Sequence, residues 1–205
     1  VVIMQKTDTW FVQEVAVQYA QAQLDYARKD GRSATNIRDR KLWEQYAQAV
    51  MRNWGACELA ANLALIPHEE SYKDVDELRL DVTHHKQLLV WDGLPFSSDH
   101  PMRKPRPTIP GAHLARAFHD VTEHVRGGHG FDFLDELRAA LSQRQYYDKS
   151  LHAVVWTDDV AIACYREHFG QWPATQYPVL VRQQWPRLAR FVARAAAQNN
   201  NMRGF

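Results

Sequence analysis

"AFHDVTEHVRGG", residues 117–128, packs His119, Asp120, Glu123 and His124 into six positions just ahead of two glycines. Leu114, Phe118 and Val121 recur at helical spacing, so the stretch predicts a helix from Ala112 to Arg126. Gly127 and Gly128 stop it, because glycine enters the left-handed conformation that commonly ends helices. The centre of the chain is therefore helical, and the histidines sit in the last turns of a helix.

Working outward, the same period recurs. Thr7 or Asp8 can cap a helix reaching about Lys29, with Trp10, Val17, Ala20, Leu24 and Ala27 as its apolar stripe. A second helix is expected from Arg38 to Leu65, with Leu42, Tyr46, Val50, Trp54 and Leu59 along one side and Pro67 as its stop. Residues 74–90 mix a possible helix with a possible short extended piece. Further helices are expected over Leu134–Tyr147, Ser150–Phe169 and Pro178–Ala197. Residues 91–111 differ in kind. They hold five of the nine prolines, which remove backbone donors and fix φ, so an irregular loop is expected. Its Trp91, Leu94, Phe96 and Met102 suit a loop packed over a site. The reading is a mainly α fold: a single helical domain over 1–198, a helical bundle with a long Pro-rich central loop, and a flexible tail at 199–205. Trp43, Tyr46, Val50, Trp54, Leu114, Phe118, Val121, Val155 and Ile162 should be buried.

Composition limits the function classes. At 205 residues, 45% hydrophobic and 24% charged, the chain can bury a core without disulfides. The formal net charge of +1 does not indicate nucleic acid as a partner. Cys57 and Cys164 cannot form a disulfide framework or a Cys-x-x-Cys zinc site, so a reducing cytoplasm is the expected location. No apolar run reaches the roughly 20 residues that cross a bilayer, and "VVIMQKTD" does not read as a signal peptide. No membrane partner is expected, and no pattern fixes an oligomeric state.

The chemistry-bearing residues cluster around the opening motif. His119 and His124 offer imidazole nitrogens; Asp120, Glu123, Glu136, Asp158 and Asp159 offer carboxylates. Two imidazoles and one carboxylate on one face of an ion make the triad used by non-haem Fe(II) oxygenases, and three such ligands also suit a catalytic zinc. Helix geometry puts residues four apart about 40° apart, so Asp120 and His124 share a face. His119 and His124, five apart, diverge by about 140° unless the helix end is distorted. Asp158 and Asp159 stand in the apolar run "VVWTDDVAIACY" (154–165), where a carboxylate is costly unless paired or metal-bound. The expected ligands are His119, His124 and Asp158, with Asp159 as the alternative acid. Glu136 is expected nearby as a further ligand or base, and Asp120 orienting a histidine ring. Fe(II) is the favoured ion, with Zn(II) or Mn(II) as alternatives. A small-molecule substrate is expected against Trp91, Phe96, Tyr147 and Trp156.

"FHDVTEHV" (118–125) resembles the iron-binding segment of the aromatic amino-acid hydroxylases, Phe-His-Asp-x-x-Gly-His-Val, in which both histidines bind iron and a later acid completes the triad. The resemblance implies His119, His124 and Asp158 or Asp159, with Glu123 replacing the family's glycine. Residues 114–176 also resemble an uncharacterised group of phage and bacterial proteins. That pattern covers His119–His124, "GHGF" (128–131), Glu136, "WTDD" (156–159), Tyr165 and "GQWPATQ" (170–176); it favours Asp158 over Asp159 and supplies no activity. A rival reading takes His119–Asp120 as the pair of an HD-type phosphohydrolase, with His84 or His85 upstream and Asp158 downstream, for metal-assisted phosphate ester hydrolysis. The non-enzyme alternative is a helical structural or interaction protein of a phage or mobile element. "GGHG" reads as a turn rather than a phosphate loop, and "MRKPRP" (102–107) as a solvated basic loop.

Overall fold

Helices account for most of the chain in the computed structural model, which describes residues 6–28, 34–70, 72–91, 96–104 and 109–202. In order they are α1 (Lys6–Arg28), α2 (Ala34–Ala56), α3 (Val75–Leu80), α4 (Gly111–His119), α5 (Phe133–Gln143), α6 (His152–Val155), α7 (Ile162–Phe169) and α8 (Trp185–Met202). Three of them are extended by π-helical turns: Asp81–His85 after α3, Asp120–Arg126 after α4, and Trp156–Ala161 between α6 and α7. The mainly helical expectation holds. No described helix is long and apolar enough to cross a membrane.

α1 packs against α7, α2 against α4, and α5 against α8. Aromatic pairs bring α8 against other elements as well: Phe11 of α1 meets Phe191 at 5.3 Å, and Trp156 meets Trp185 edge-on at 5.0 Å. The Trp43 indole N–H, inside the core, donates to the Val179 carbonyl at 3.1 Å, so burying the ring strands no donor. Eight of the nine positions expected to be buried are so; Trp54 is only half-buried.

The apolar stripe expected on α1 faces outward. Trp10, Val17 and Leu24 are 59%, 48% and 52% exposed, whereas Phe11, Val15, Tyr19 and Tyr26 are buried. α1 is apolar on two faces, and the aromatic-rich face fills the seam with α7 and α8. Trp10 is covered in part by the Arg187 guanidinium, 4.7 Å from its ring centre.

The second helix also ends earlier than expected, at Ala56, where Cys57 turns extended. Beyond it β1 (Ala64–His68) pairs in parallel with β2 (Gln87–Trp91), joined through α3 and its π turn. Pro67 lies inside β1, tolerated because β1 has a neighbour on one side only and one edge needs no donor. β2 alternates: Leu88 and Val90 go into a second small core with Leu78, Val82, Ala117 and Val121, while Leu89 and Trp91 turn the other way.

The Pro-rich segment is less irregular than expected. Trp91 ends β2, Phe96 bridges Gln176, a short 3-10 turn spans Pro101–Arg103, and α4 already starts at Gly111. Leu94 and part of the basic run 102–107 lie outside the described residues. The last helix begins at Trp185, not Pro178: 177–184 is irregular, with a tight turn in which the Val179 N–H donates to the Tyr177 carbonyl at 2.8 Å, and Pro186 suits a helix's first turn. It continues to Met202, into the segment expected as a tail; residues 203–205 lie outside the described part.

Candidate metal centre

The π turn after α4 answers the geometric question posed by the sequence. An α-helix would splay His119 and His124, five apart, but a π turn closes i→i+5 hydrogen bonds and stacks such residues. The two Nε2 atoms are 3.1 Å apart. The turn ends at Gly127, where a Cβ would come within 2.6 Å of the Glu123 carbonyl, and Gly128 then takes the left-handed φ of +77°. Glycine at both positions lets the backbone close behind His124.

The rings are held from outside. His119 Nδ1 contacts the Gln143 side-chain oxygen, and His124 Nδ1 lies 3.2 Å from the His129 carbonyl. Carbonyl oxygens only accept, so each Nδ1 carries the proton and each Nε2 is directed at the shared point. Asp120 completes the group: ligand atoms of His119, Asp120 and His124 all lie within 4.8 Å of one another, and all three residues are buried. Asp120 Oδ1 is 3.1 Å from Arg116 Nε yet has no hydrogen bond of good angle, so its lone pairs remain available. Two nitrogens at right angles on an ion about 2.1 Å away would sit about 3 Å apart, close to the observed separation. The donor set therefore fits a divalent ion, and the group could hold one.

Further acids surround it. Glu136, from α5, reaches His119 Nε2 at 3.3 Å and His124 Nε2 at 3.9 Å. Asp158 and Asp159 come from the third π turn, Trp156–Ala161; Asp158 accepts from the Tyr46 hydroxyl at 3.3 Å, and Asp159 Oδ2 is buried without a partner. The tight ligand group contains Asp120, which the sequence reading placed behind a histidine, and does not contain Asp158. The orienting role falls to Gln143 and the His129 carbonyl, neither of which the sequence singles out. Glu123 is fully buried 3.9 Å from His129, and neither oxygen finds a hydrogen bond.

The electrostatics follow from many acids against one guanidinium. Burial works against charge on His119, but Glu136 and Asp159 outweigh it and hold its pKa up at about 10. Burial, with His119 positive beside it, drops His124 to about 3. Partial burial works against charge on Glu136 too, yet His119 and Arg116 pull it down to about 2. Burial raises Asp158 to about 6 and pushes Asp159 and Asp120 up as well. The site attracts positive charge, and a cation at Nε2 must displace the His119 proton.

A cavity of about 910 Å³ is lined by His119 from this group, by Glu136, Asp158 and Asp159, and by Trp91, Phe96, Met102 and Ile162 among its walls; Asp120 and His124 do not line it. Two of the aromatic residues expected to face a substrate, Trp91 and Phe96, do line it. The other two do not: Tyr147 and Trp156 are core residues, packed on Tyr46 and Trp185. His84 and His85 are exposed, outside the cavity lining, and His85 pairs with Asp81 at 2.7 Å. Comparisons with protein-family models, with curated proteins and with solved structures find no match to this chain.

Proposed function

We propose that this chain is a metal-dependent enzyme with a 2-His-1-carboxylate centre, of the mononuclear non-haem Fe(II) oxygenase or hydroxylase type. The observation that carries the reading is the π-helical convergence of His119 and His124 Nε2 with Asp120 Oδ1 beside them, and His119 lines a cavity large enough for a small molecule. Fe(II) is the favoured ion, Zn(II) and Mn(II) the alternatives; three protein ligands of this kind leave positions open for oxygen and substrate. When bound, Fe(II) supplies redox chemistry toward dioxygen.

The chain's own residues do the rest. Gln143 and the His129 carbonyl hold both rings in the tautomer that directs Nε2 at the ion. Arg116 holds Asp120 in place at 3.1 Å. Glu136 stands against both imidazoles, where its carboxylate can pair with protonated His119 or serve as a further ligand. Asp158 and Asp159, with the raised proton affinity that burial gives them, are placed to hold or pass a proton at the cavity wall.

One observation favours the second reading, an HD-type phosphohydrolase: Asp120 is in the tight ligand group, as that chemistry needs. It also needs an upstream histidine, and neither His84 nor His85 reaches the cavity. The two readings part under substitution. Metal analysis of protein purified without chelators is expected to find about one equivalent of a transition metal, lost in His124→Ala and kept in His85→Ala. The reverse pattern would replace the oxygenase reading by the phosphohydrolase. Metal below about a tenth of an equivalent, with no thermal shift on adding Fe(II), Zn(II) or Mn(II), would leave a structural or interaction protein.

A further inference from the structure

Adjoining the cavity is a smaller chamber of about 260 Å³ that shares most of its lining residues with it. Its lining includes three cations, Lys73, Arg116 and Arg166, and the apolar faces of Leu89, Trp91 and Phe131. Among the described residues the only acids there are Asp120 and Glu136, both of which face the histidine pair. Glu69, Glu70 and Glu167 line the outer cavity and not this chamber.

The cations are not equivalent. Arg116 is committed to Asp120. Lys73 and Arg166 have no ion-pair partner among the described residues; Arg166 is placed by stacking on Trp172, 4.9 Å from the ring centre. Stacking leaves guanidinium N–H groups in the guanidinium plane unspent, and the guanidinium fork matches a planar or tetrahedral oxyanion. Two uncommitted cations beside an apolar wall, next to a metal-ligand group, form a site with two ends.

We infer that the side chamber receives the anionic end of the substrate: an organic oxyanion, carboxylate or phosphate monoester, whose apolar body lies along Trp91 and Phe131 toward His119 and His124. The inference rests on the proposed metal centre for which end reacts, but not for which end binds. Lys73 and Arg166 neutralise the oxyanion, and Trp91 and Phe131 cover the body.

The test uses benzoate, phenyl phosphate and the neutral isostere benzamide. Quenching of tryptophan fluorescence by each is measured on protein carrying one equivalent of Zn(II) and on protein kept in chelator, since Trp91 and Trp172 both line the cavity. One or both anions are expected to bind roughly tenfold or more tightly than benzamide, the gain of a charged hydrogen bond; the preferred anion distinguishes carboxylate from phosphate. Arg166→Gln, at an exposed position, should abolish that preference while leaving Zn(II) content unchanged. Equal binding of benzamide and the anions, an anion preference that survives both Arg166→Gln and Lys73→Gln, or no binding by any probe would overturn the assignment. Failure of the metal reading appears separately: a chain that holds no Zn(II) yet keeps the Arg166-dependent anion preference has an anion site without the proposed centre.

Discussion

Truncating His124 tests the metal centre most directly, because the ring is fully buried and its loss can be divided into a structural part and a metal part. For the structural part, truncation removes the hydrogen bond to the His129 carbonyl at 3.2 Å and the edge contact with Phe131 at 4.7 Å. A buried ring of this size, with one hydrogen bond, is worth about 3 kcal/mol, or roughly 6–12 °C in Tm for a chain of this length. The metal part follows from linkage. With a Kd on the order of 1 µM, 100 µM Zn(II) stabilises the wild-type chain by about 2.7 kcal/mol, raising Tm by roughly 5–11 °C. Losing one of three ligands weakens binding by at least about 100-fold, more than the loss of an orienting partner, so the variant gains only about 0.4 kcal/mol and 1–2 °C. The assay is a thermal melt of wild type, His124→Ala and His85→Ala, each with chelator and with 100 µM Zn(II) (a concentration set by the roughly 100-fold excess over Kd used above). His85→Ala should keep the full metal-induced rise. If His124→Ala melts lower in chelator but shows the same rise on adding Zn(II), His124 is not a ligand and the reasoning from the π turn is refuted.

Gln143→Leu removes the acceptor that fixes the His119 ring and should weaken Zn(II) binding by roughly 10–100-fold in a chelator competition, with unchanged affinity counting against a tautomer-fixing role. His100 is 1% exposed, between Trp43 and Phe96, and burial lowers its pKa to about 3. Because the unfolded chain takes up this proton near pH 6.5 and the folded chain does not until about 3, its contribution is complete above 6.5 and lost as pH falls through that window. Between pH 7.5 and 5, wild type should lose about 2 kcal/mol more than His100→Phe in urea unfolding, and parallel losses would exclude a buried neutral His100. Leu137→Ala, at a fully buried position of α5, should cost about 2–5 kcal/mol in the same assay; a loss under about 1 kcal/mol would contradict the packing described.

How much of this was legible in the sequence depends on the range of the forces involved. Helix existence was legible, because the 3.6-residue period of Leu114, Phe118 and Val121 is written locally; so was the grouping of His119, Asp120 and His124 on one segment. The buried face of α1 was not. Trp10, Val17 and Leu24 make as good a stripe as Phe11, Val15 and Tyr19, and only packing against α7 and α8 chooses between them. The β1–β2 pair was not legible either, since β1 is mostly exposed and its partner lies beyond α3, so its pairing is non-local. The decisive case is the site. The sequence supplied two histidines five apart, a spacing that an α-helix would hold open. Whether they meet depends on a π turn whose i→i+5 bonds trade regular helix geometry for the packing of Val121, Phe118 and the buried ring contacts around Gln143 and His129. That balance is set by the tertiary contacts of α4 and its π turn with α3, α5 and β2, so the two histidines were readable from the sequence as candidate ligands, while their convergence, and Asp120 rather than Asp158 beside them, was not.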